Sequence, residues 1–226
     1  MRRGAGDEAR PRRRVPAWLE FLLLTGVALG LALLVKTFLA QMFFVPSQSM
    51  DPLLAIDDKL LVERVSLWGD GTVDRGDVVV FRDPGGWLGP PPPLNPVQQG
   101  LSAVGLYPSG GHLVKRVVAV GGDRVACCDA EGRITVNGEA LEEDYLPRGV
   151  EPSDGDFDVT VPEGRLWVMG DNRPNSEDSR FHRADEGNGS IPESAVVGKV
   201  WAVVWPVSRW DRLEQPGTYS ELQPPR

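Results

Sequence analysis

The sequence predicts a mainly β protein: one N-terminal transmembrane helix, then an antiparallel β-sheet domain that carries a small inserted β lobe. Two observations predict this fold. One long apolar run, residues 21–35, lies near the N-terminus. From Lys59 onward, short β-branched segments alternate with turns rich in Gly, Pro, Asn and Asp, which is typical of antiparallel strands. A chain of 226 residues is long enough for one such domain and an anchor.

The N-terminal region has the composition of a membrane anchor. Residues 1–16 hold six arginines and are predicted to stay in the cytoplasm by the positive-inside rule. Residues 17–36 are close to the roughly 20 residues that a bilayer requires. A cleaved signal peptide is the alternative, but Phe38 stands two positions before Ala40, where a small residue is needed. We therefore expect an uncleaved single-pass anchor with the rest of the chain outside the cytoplasm.

The remaining chain is predicted to form one β domain from residues 37–122 and 165–210. Residues 123–164 are expected to form the smaller inserted lobe, in which Asn137-Gly138 is a strong hairpin signal. Residues 84–111, rich in Pro and Gly, are expected to be a flexible insertion, and 211–226 a loose C-terminal tail. The predicted strands are 60–65, 77–82, 112–120, 134–136, 157–161, 166–169 and 196–204.

Composition excludes several classes of function. A net charge of −8 argues against a nucleic-acid partner. The only cysteines, Cys127 and Cys128, are adjacent, so they form either a vicinal disulfide or two free thiols. With two histidines and no Cys/His cluster, the sequence lacks the ligands of a zinc site, and we expect neither metal nor cofactor.

Two serines between prolines, Ser47 and Ser49, follow the anchor directly. Taken alone, this is an ordinary turn composition. A serine nucleophile needs a base, and His112 and His182 are each better explained as structural or solvated residues. A Ser-His-Asp triad stays open at this point.

Lys115 is the other possible base, because it lies in the middle of a predicted strand. Strand alternation puts it on one face with Leu113, Val117 and Ala119, and puts Arg116 on the other. An amine on an apolar face loses hydration, which lowers its pKa. The alternative is a lysine at the rim of the sheet, with its stem buried and its head in water.

A third polar stretch, Gly170–Arg180, reads GDNRPNSEDSR and directly follows a predicted strand. Asp178 and Arg180 are spaced so that they can pair, while Ser176 can donate or accept a local hydrogen bond. A solvated loop is the alternative reading.

Four segments occur in a fixed order behind the anchor: PSQSMDPLL, RGDVVVF, KRVVAVGGD and GDNRPNSEDSR. Together they resemble the conserved boxes of bacterial type I signal peptidases, membrane-bound serine proteases with a Ser/Lys dyad. The likeness extends over most of residues 38–206. It implies an endopeptidase that removes signal peptides from exported preproteins after Ala-x-Ala-type sites.

The resemblance also implies a role for each matching residue. Ser49 matches the nucleophile and Lys115 the general base. Ser47, with the Ser49 backbone N–H, matches the oxyanion hole. Ser176 matches the serine that orients the lysine amine. Asp178 and Arg180 match a supporting ion pair.

This chain departs from the family pattern at Gln48, where glycine is usual, and at Leu53, where threonine is common. We expect the Gln48 side chain to point away from the substrate. Met42–Val45 is expected to supply an apolar surface that faces the lipid bilayer. The expected partners are secretory preproteins and lipid, with the enzyme monomeric. The alternatives are a membrane-tethered peptide-binding β module without activity, and a Ser/Lys peptidase dedicated to a pilin or conjugation factor.

Overall fold

The computed structural model describes residues 16–34, 39–69, 71–89, 95, 100 and 111–223. The chain divides into two compact units, Met1–Phe38 and Leu39–Arg226. The predicted Arg-rich tail before Pro16 lies outside the described residues, as does most of the predicted insertion at 84–111.

The described part of the first unit forms the helix α1 (Ala17–Leu34), of 18 residues. It begins directly after Pro16, whose carbonyl oxygen accepts the N–H groups of Leu19 and Glu20. Its many leucines and alanines favour the helical backbone. Within the described residues, no helix is both long and apolar enough to cross a membrane. The end of the predicted span, including Lys36, lies outside the described residues.

The second unit is mainly β, and all its strand pairs are antiparallel, so the predicted antiparallel β domain is confirmed. Its strands are β1 (Ala40–Phe44), β2 (Lys59–Glu63), β3 (Val78–Arg82), β4 (His112–Val120), β5 (Arg124–Cys127), β6 (Thr135–Val136), β7 (Glu139–Ala140), β8 (Phe157–Thr160), β9 (Arg165–Met169), β10 (Ile191–Pro192), β11 (Val196–Trp205) and β12 (Asp211–Arg212).

The strands form two sheets. The larger, eight-stranded sheet has the order β1-β2-β11-β3-β4-β9-β10, with β12 paired to β11. The smaller sheet has four strands in the order β7-β6-β5-β8. The Asn137-Gly138 turn joins β6 to β7, as the sequence predicted. At the end of β5, the adjacent cysteines Cys127 and Cys128 are joined as a vicinal disulfide.

All seven predicted strands are present; 112–120 matches β4 at both ends, and the ends of the others differ by at most two residues. The strands that sequence analysis missed are β1, β5, β7, β10 and β12. Three of these have only two residues, too few to show an alternating pattern. The residues of β1 read AQMFF, and we interpreted them as a membrane interface rather than as a strand.

Strand β4 lies in the middle of the larger sheet, between β3 and β9. Leu113 and Val117 pack in one apolar cluster of this sheet, as predicted. The prediction for Ala119 was wrong. The pairing of β4 with β9 is irregular between Val117 and Ala119 of β4. This irregularity reverses the alternation of side chains between the two faces of the strand. Ala119 therefore lies opposite Trp167 and packs with it in a different cluster.

The C-terminal segment differs from the expected loose tail. Strand β12 pairs with β11, and the Leu213 N–H donates to the carbonyl oxygen of Trp201 (3.0 Å). Further along, Tyr219 is only 5% exposed and belongs to the same apolar cluster as Trp167. This segment therefore contributes Tyr219 to the core of the domain, with the partly buried Leu222 packed beside it.

Candidate active site

The serine loop is held against the polar turn that follows β9. The Asn172 backbone N–H donates to the Ser49 carbonyl oxygen (3.0 Å), and its side-chain amide donates to the Gln48 carbonyl oxygen (2.9 Å). Met50, 1% exposed, fixes the loop in the core from the other side. The Ser47 hydroxyl lies 3.4 Å from the Ser49 hydroxyl. These contacts fix the backbone at Ser49 relative to the turn.

The Gln48 side chain faces the same turn. Its Oε1 lies 3.4 Å from the Asn175 side-chain amide, which can donate to it. The extra side chain is thus accommodated beside residues 172–175. That Gln48 points away from the substrate stays a prediction.

Gly170 lies where the serine loop and the polar turn approach each other closely. A Cβ atom added there would collide with the Ser49 carbonyl oxygen and with the Ser176 Oγ. Its N–H donates to Asp178 Oδ2 (3.0 Å), and its carbonyl oxygen accepts from Arg173 Nε (3.0 Å). Only glycine allows this approach, and sequence analysis did not single it out.

Asp178 is fully buried, and its carboxylate is saturated with donors. The Ser176 hydroxyl donates to Oδ2 at 2.8 Å. Arg180 donates from Nε to Oδ1 (2.9 Å) and from Nη2 to Oδ2 (3.0 Å). The buried charge is therefore paired and hydrogen-bonded, the condition under which a buried ion pair is tolerated. The spacing of these residues in the sequence predicted the pair itself.

Lys115 lies opposite Val79 in the sheet and is only 3% exposed. This burial contradicts the alternative of a rim lysine with its head in water. Its amine makes no hydrogen bond or ion pair with a described residue. Burial lowers its pKa to about 8. The charge of Asp178 opposes the fall, Arg180 adds to it, and Asp171 and Glu177 oppose it more weakly.

The comparisons with known proteins agree with the resemblance of the four segments. A family model described as signal peptidase, peptidase S26, matches residues 18–205. The chain belongs to this family. It is 38% identical to a probable signal peptidase I of Mycobacterium leprae, over 89% of this chain and 81% of the relative. It is also 38% identical to a signal peptidase I of Mycobacterium tuberculosis, over 90% and 78%.

A crystal structure of a signal peptidase I from Enterococcus faecalis is also similar. It shares 25% identity and a TM-score of 0.38, over 57% of this chain and 97% of its own. The family assignment rests on the family model and the curated relatives, which make this chain a serine peptidase of the S26 type.

In this S26 chain, the histidines are held by other contacts. The His182 ring stacks on Trp87 with 4.4 Å between ring centroids, and its Nδ1 lies 2.9 Å from Asp185. The His112 ring lies 5.4 Å from that of Phe43. Among the described residues, the Ser49 hydroxyl hydrogen-bonds to Ser47, and to neither histidine nor Lys115. Neither histidine is thus placed as a base for Ser49, and the Lys115 amine is not within hydrogen-bonding distance of the Ser49 hydroxyl.

On the opposite face of β4, a second buried ion pair supports the turn. Arg116 donates to Asp171 from Nε (2.9 Å) and Nη2 (2.6 Å), and to the Gly76 carbonyl oxygen (2.9 Å). Burial alone would lower the pKa of Arg116, but the hydrogen bond and charge of Asp171 outweigh it and raise the pKa. The sequence placed Arg116 on this face but did not identify Asp171 as its partner.

Proposed function

We propose that this S26 peptidase removes N-terminal signal peptides from exported preproteins, with Ser49 as the nucleophile and Lys115 as the general base. It would cut after small-x-small sites of the Ala-x-Ala type. The reaction needs no metal or cofactor, because both reacting groups are side chains of one chain. For the same reason, a monomer suffices.

One observation carries this proposal: Lys115 is buried, its amine has no hydrogen-bonding partner among the described residues, and the pKa of the amine is lowered to about 8. At that pKa, about one molecule in ten holds a neutral amine at pH 7. An ordinary lysine would be neutral in fewer than about one molecule in a thousand. A base must be neutral to accept a proton, so burial prepares Lys115 for this role.

In the proposed mechanism, neutral Lys115 takes the proton from Ser49, and the Ser49 oxygen attacks the scissile carbonyl carbon. The Ser47 hydroxyl and the Ser49 N–H hold the oxyanion that develops, and one such donor is worth about 3 kcal/mol. The lysine ammonium then protonates the leaving amine. A water molecule, deprotonated by Lys115, releases the acyl group from Ser49. Ser176, with Asp178 and Arg180 behind it, would orient the amine.

The substrate would bind in an extended conformation at a sheet edge. Strand β1 lies at one end of the larger sheet and, in the described part of the chain, pairs only with β2. Its open edge leads directly into the serine loop. An added substrate strand would gain backbone hydrogen bonds there, while side-chain size would be read at alternate positions.

We further propose that the enzyme is held at the cytoplasmic membrane by residues 17–36, with the N-terminus in the cytoplasm and the β domain outside. The apolar run and the arginines before it support this orientation. Met42 is 63% exposed and Phe44 is 47% exposed, so both are available to contact lipid. Val45 is not, because it is 2% exposed and packs in the core, contrary to our expectation for Met42–Val45.

The direct test incubates the detergent-solubilised protein with an Ala-x-Ala preprotein and locates the cut by mass spectrometry. Ser49→Ala and Lys115→Met should abolish cleavage, while Lys199→Met, a lysine of the same sheet, should cleave normally. A serine-directed acylating inhibitor should label Ser49. Lack of both labelling and cleavage would favour a peptide-binding module, and cleavage confined to one pilin-like client would favour a dedicated peptidase.

A further inference from the structure

Residues 213–223, which we call the C-terminal strap, form hydrogen bonds with several parts of the domain. Gln215 donates to Asp77 Oδ1 (2.6 Å) from its side-chain amide. The Thr218 hydroxyl accepts from the Glu142 N–H (3.1 Å). Near its end, the Gln223 carbonyl oxygen accepts from Arg75 Nη1 (2.9 Å). These contacts place the strap against both the larger sheet and the segment that follows β7.

Tyr219 connects the strap to a buried hydrogen-bonded chain. Its hydroxyl lies 2.7 Å from that of Tyr145, which donates to Glu143 Oε1 at 2.6 Å. A phenol carries one proton, so Tyr145 uses its proton on Glu143 and must accept from Tyr219. Burial raises the pKa of both phenols, which therefore remain donors throughout the neutral range.

The chain continues from Glu143 to the active-site turn. Arg173 donates to Glu143 from Nη1 (2.9 Å) and Nη2 (2.5 Å), and both side chains are almost fully buried. Arg173 Nη1 also donates to the Pro152 carbonyl oxygen (3.0 Å), and Arg173 Nε donates to the Gly170 carbonyl oxygen (3.0 Å). Gly170 in turn is the residue that touches the Ser49 carbonyl oxygen and Ser176.

A second contact joins the same chain to the neighbour of Lys115. The Arg116 guanidinium lies over the Tyr145 ring, 4.4 Å from its centroid, while binding Asp171. Tyr145 therefore contacts both the Glu143–Arg173 pair and the Arg116–Asp171 pair. Movement of Tyr145 would disturb the turn at Asp171 and at Arg173 together.

We propose that Tyr219, Tyr145 and Glu143 are positioning residues through which the C-terminal strap holds Gly170, and with it the backbone of Ser49, in the reactive geometry. This inference rests on the proposed function of Ser49. None of the three residues belongs to the four segments that identify the family. Deleting one hydroxyl far from Ser49 should thus slow the chemical step rather than weaken substrate binding.

The test compares single-turnover and steady-state cleavage of an Ala-x-Ala preprotein by the full chain in detergent. Tyr219→Phe keeps the packed ring and removes only the proton donor. We expect kcat to fall by about fivefold, the equivalent of one buried hydrogen bond, with KM within about twofold of the parent value. The matched control is Gln215→Leu, which removes a strap hydrogen bond outside the chain of contacts and should leave kcat unchanged.

Glu143→Gln completes a double-mutant cycle with Tyr219→Phe. If both act through Arg173, the double variant should lose little more kcat than Glu143→Gln alone. Multiplicative losses, an unchanged kcat in Tyr219→Phe, or an equal loss in Gln215→Leu would each overturn the inference. Those results leave cleavage by the parent chain intact, whereas failure of the proposed function would appear as a parent chain that does not cleave.

Discussion

Replacing Lys115 by methionine should inactivate the enzyme and, at the same time, stabilise its fold at neutral pH. Lys115 is 3% exposed, and the pKa of its amine falls from the usual 10.5 to about 8 on burial. Such a fall in pKa means that burying the charged amine costs about 3 kcal/mol of folding free energy, because each tenfold change in an equilibrium constant is about 1.4 kcal/mol. Methionine has a similar length and carries no charge, so it removes this cost.

The lowered pKa of Lys115 also makes the free energy of unfolding depend on pH. Between pH 8 and 10.5 the unfolded chain binds a proton at Lys115 that the folded chain has released, so stability rises with pH in this window. The gain from Lys115→Met should therefore be about 3 kcal/mol at pH 7 and about 1 kcal/mol at pH 10. Other groups that titrate in this range are common to both proteins and cancel in the difference.

The assay is urea unfolding of the full chain in detergent, followed by tryptophan fluorescence at pH 7 and pH 10. Lys199→Met is the matched control. Burial would lower the pKa of Lys199, but Asp77 (2.7 Å) and Asp74 outweigh it and raise the pKa. Its loss should destabilise the protein at pH 7. A Lys115→Met variant that is less stable than the parent at pH 7, or whose gain does not shrink by pH 10, would refute our account of the amine.

Three further outcomes follow from the same geometry. The kcat/KM for preprotein cleavage should rise with pH through about 8, the pKa of Lys115, and a profile that falls between pH 7 and pH 9 would contradict a neutral-lysine base. Arg180→Gln removes a cation that lowers the pKa of Lys115 and leaves the Asp178 charge that raises it. The acid limb of the kcat/KM profile should therefore move to higher pH, and a move to lower pH would contradict this reasoning. Gly170→Ala should lower cleavage by about a hundredfold, measured as kcat/KM in a correctly folded protein, because the new Cβ displaces the Ser49 backbone.

Much of the site could be predicted from local patterns. The strand that carries Lys115 runs over His112–Val120, as its alternation indicated, and Arg116 lies on the other face. The pair of Asp178 and Arg180 also follows from spacing, because two residues in one turn meet without help from the rest of the fold. Local backbone geometry is sufficient to determine such contacts.

Other features depend on contacts between distant parts of the chain. The alternation of side chains along β4 predicted the wrong face for Ala119, because the irregularity before Ala119 arises from pairing with β9. The composition of residues 211–226 suggested a loose tail, whereas Tyr219 is buried against Tyr145, 74 positions earlier. The importance of Gly170 was equally hidden, since its neighbour Ser49 is more than a hundred residues away.

The β class, the strand that carries Lys115 and the family of the chain could be predicted from the amino-acid sequence alone, because these depend on short-range patterns and on ordered motifs. The three-dimensional fold was needed to establish how far Lys115 is buried, which glycine contacts the serine loop, and that Tyr219 packs into the core. Burial and hydrogen-bond partners are set by packing between distant segments, and a linear pattern does not encode which of them meet.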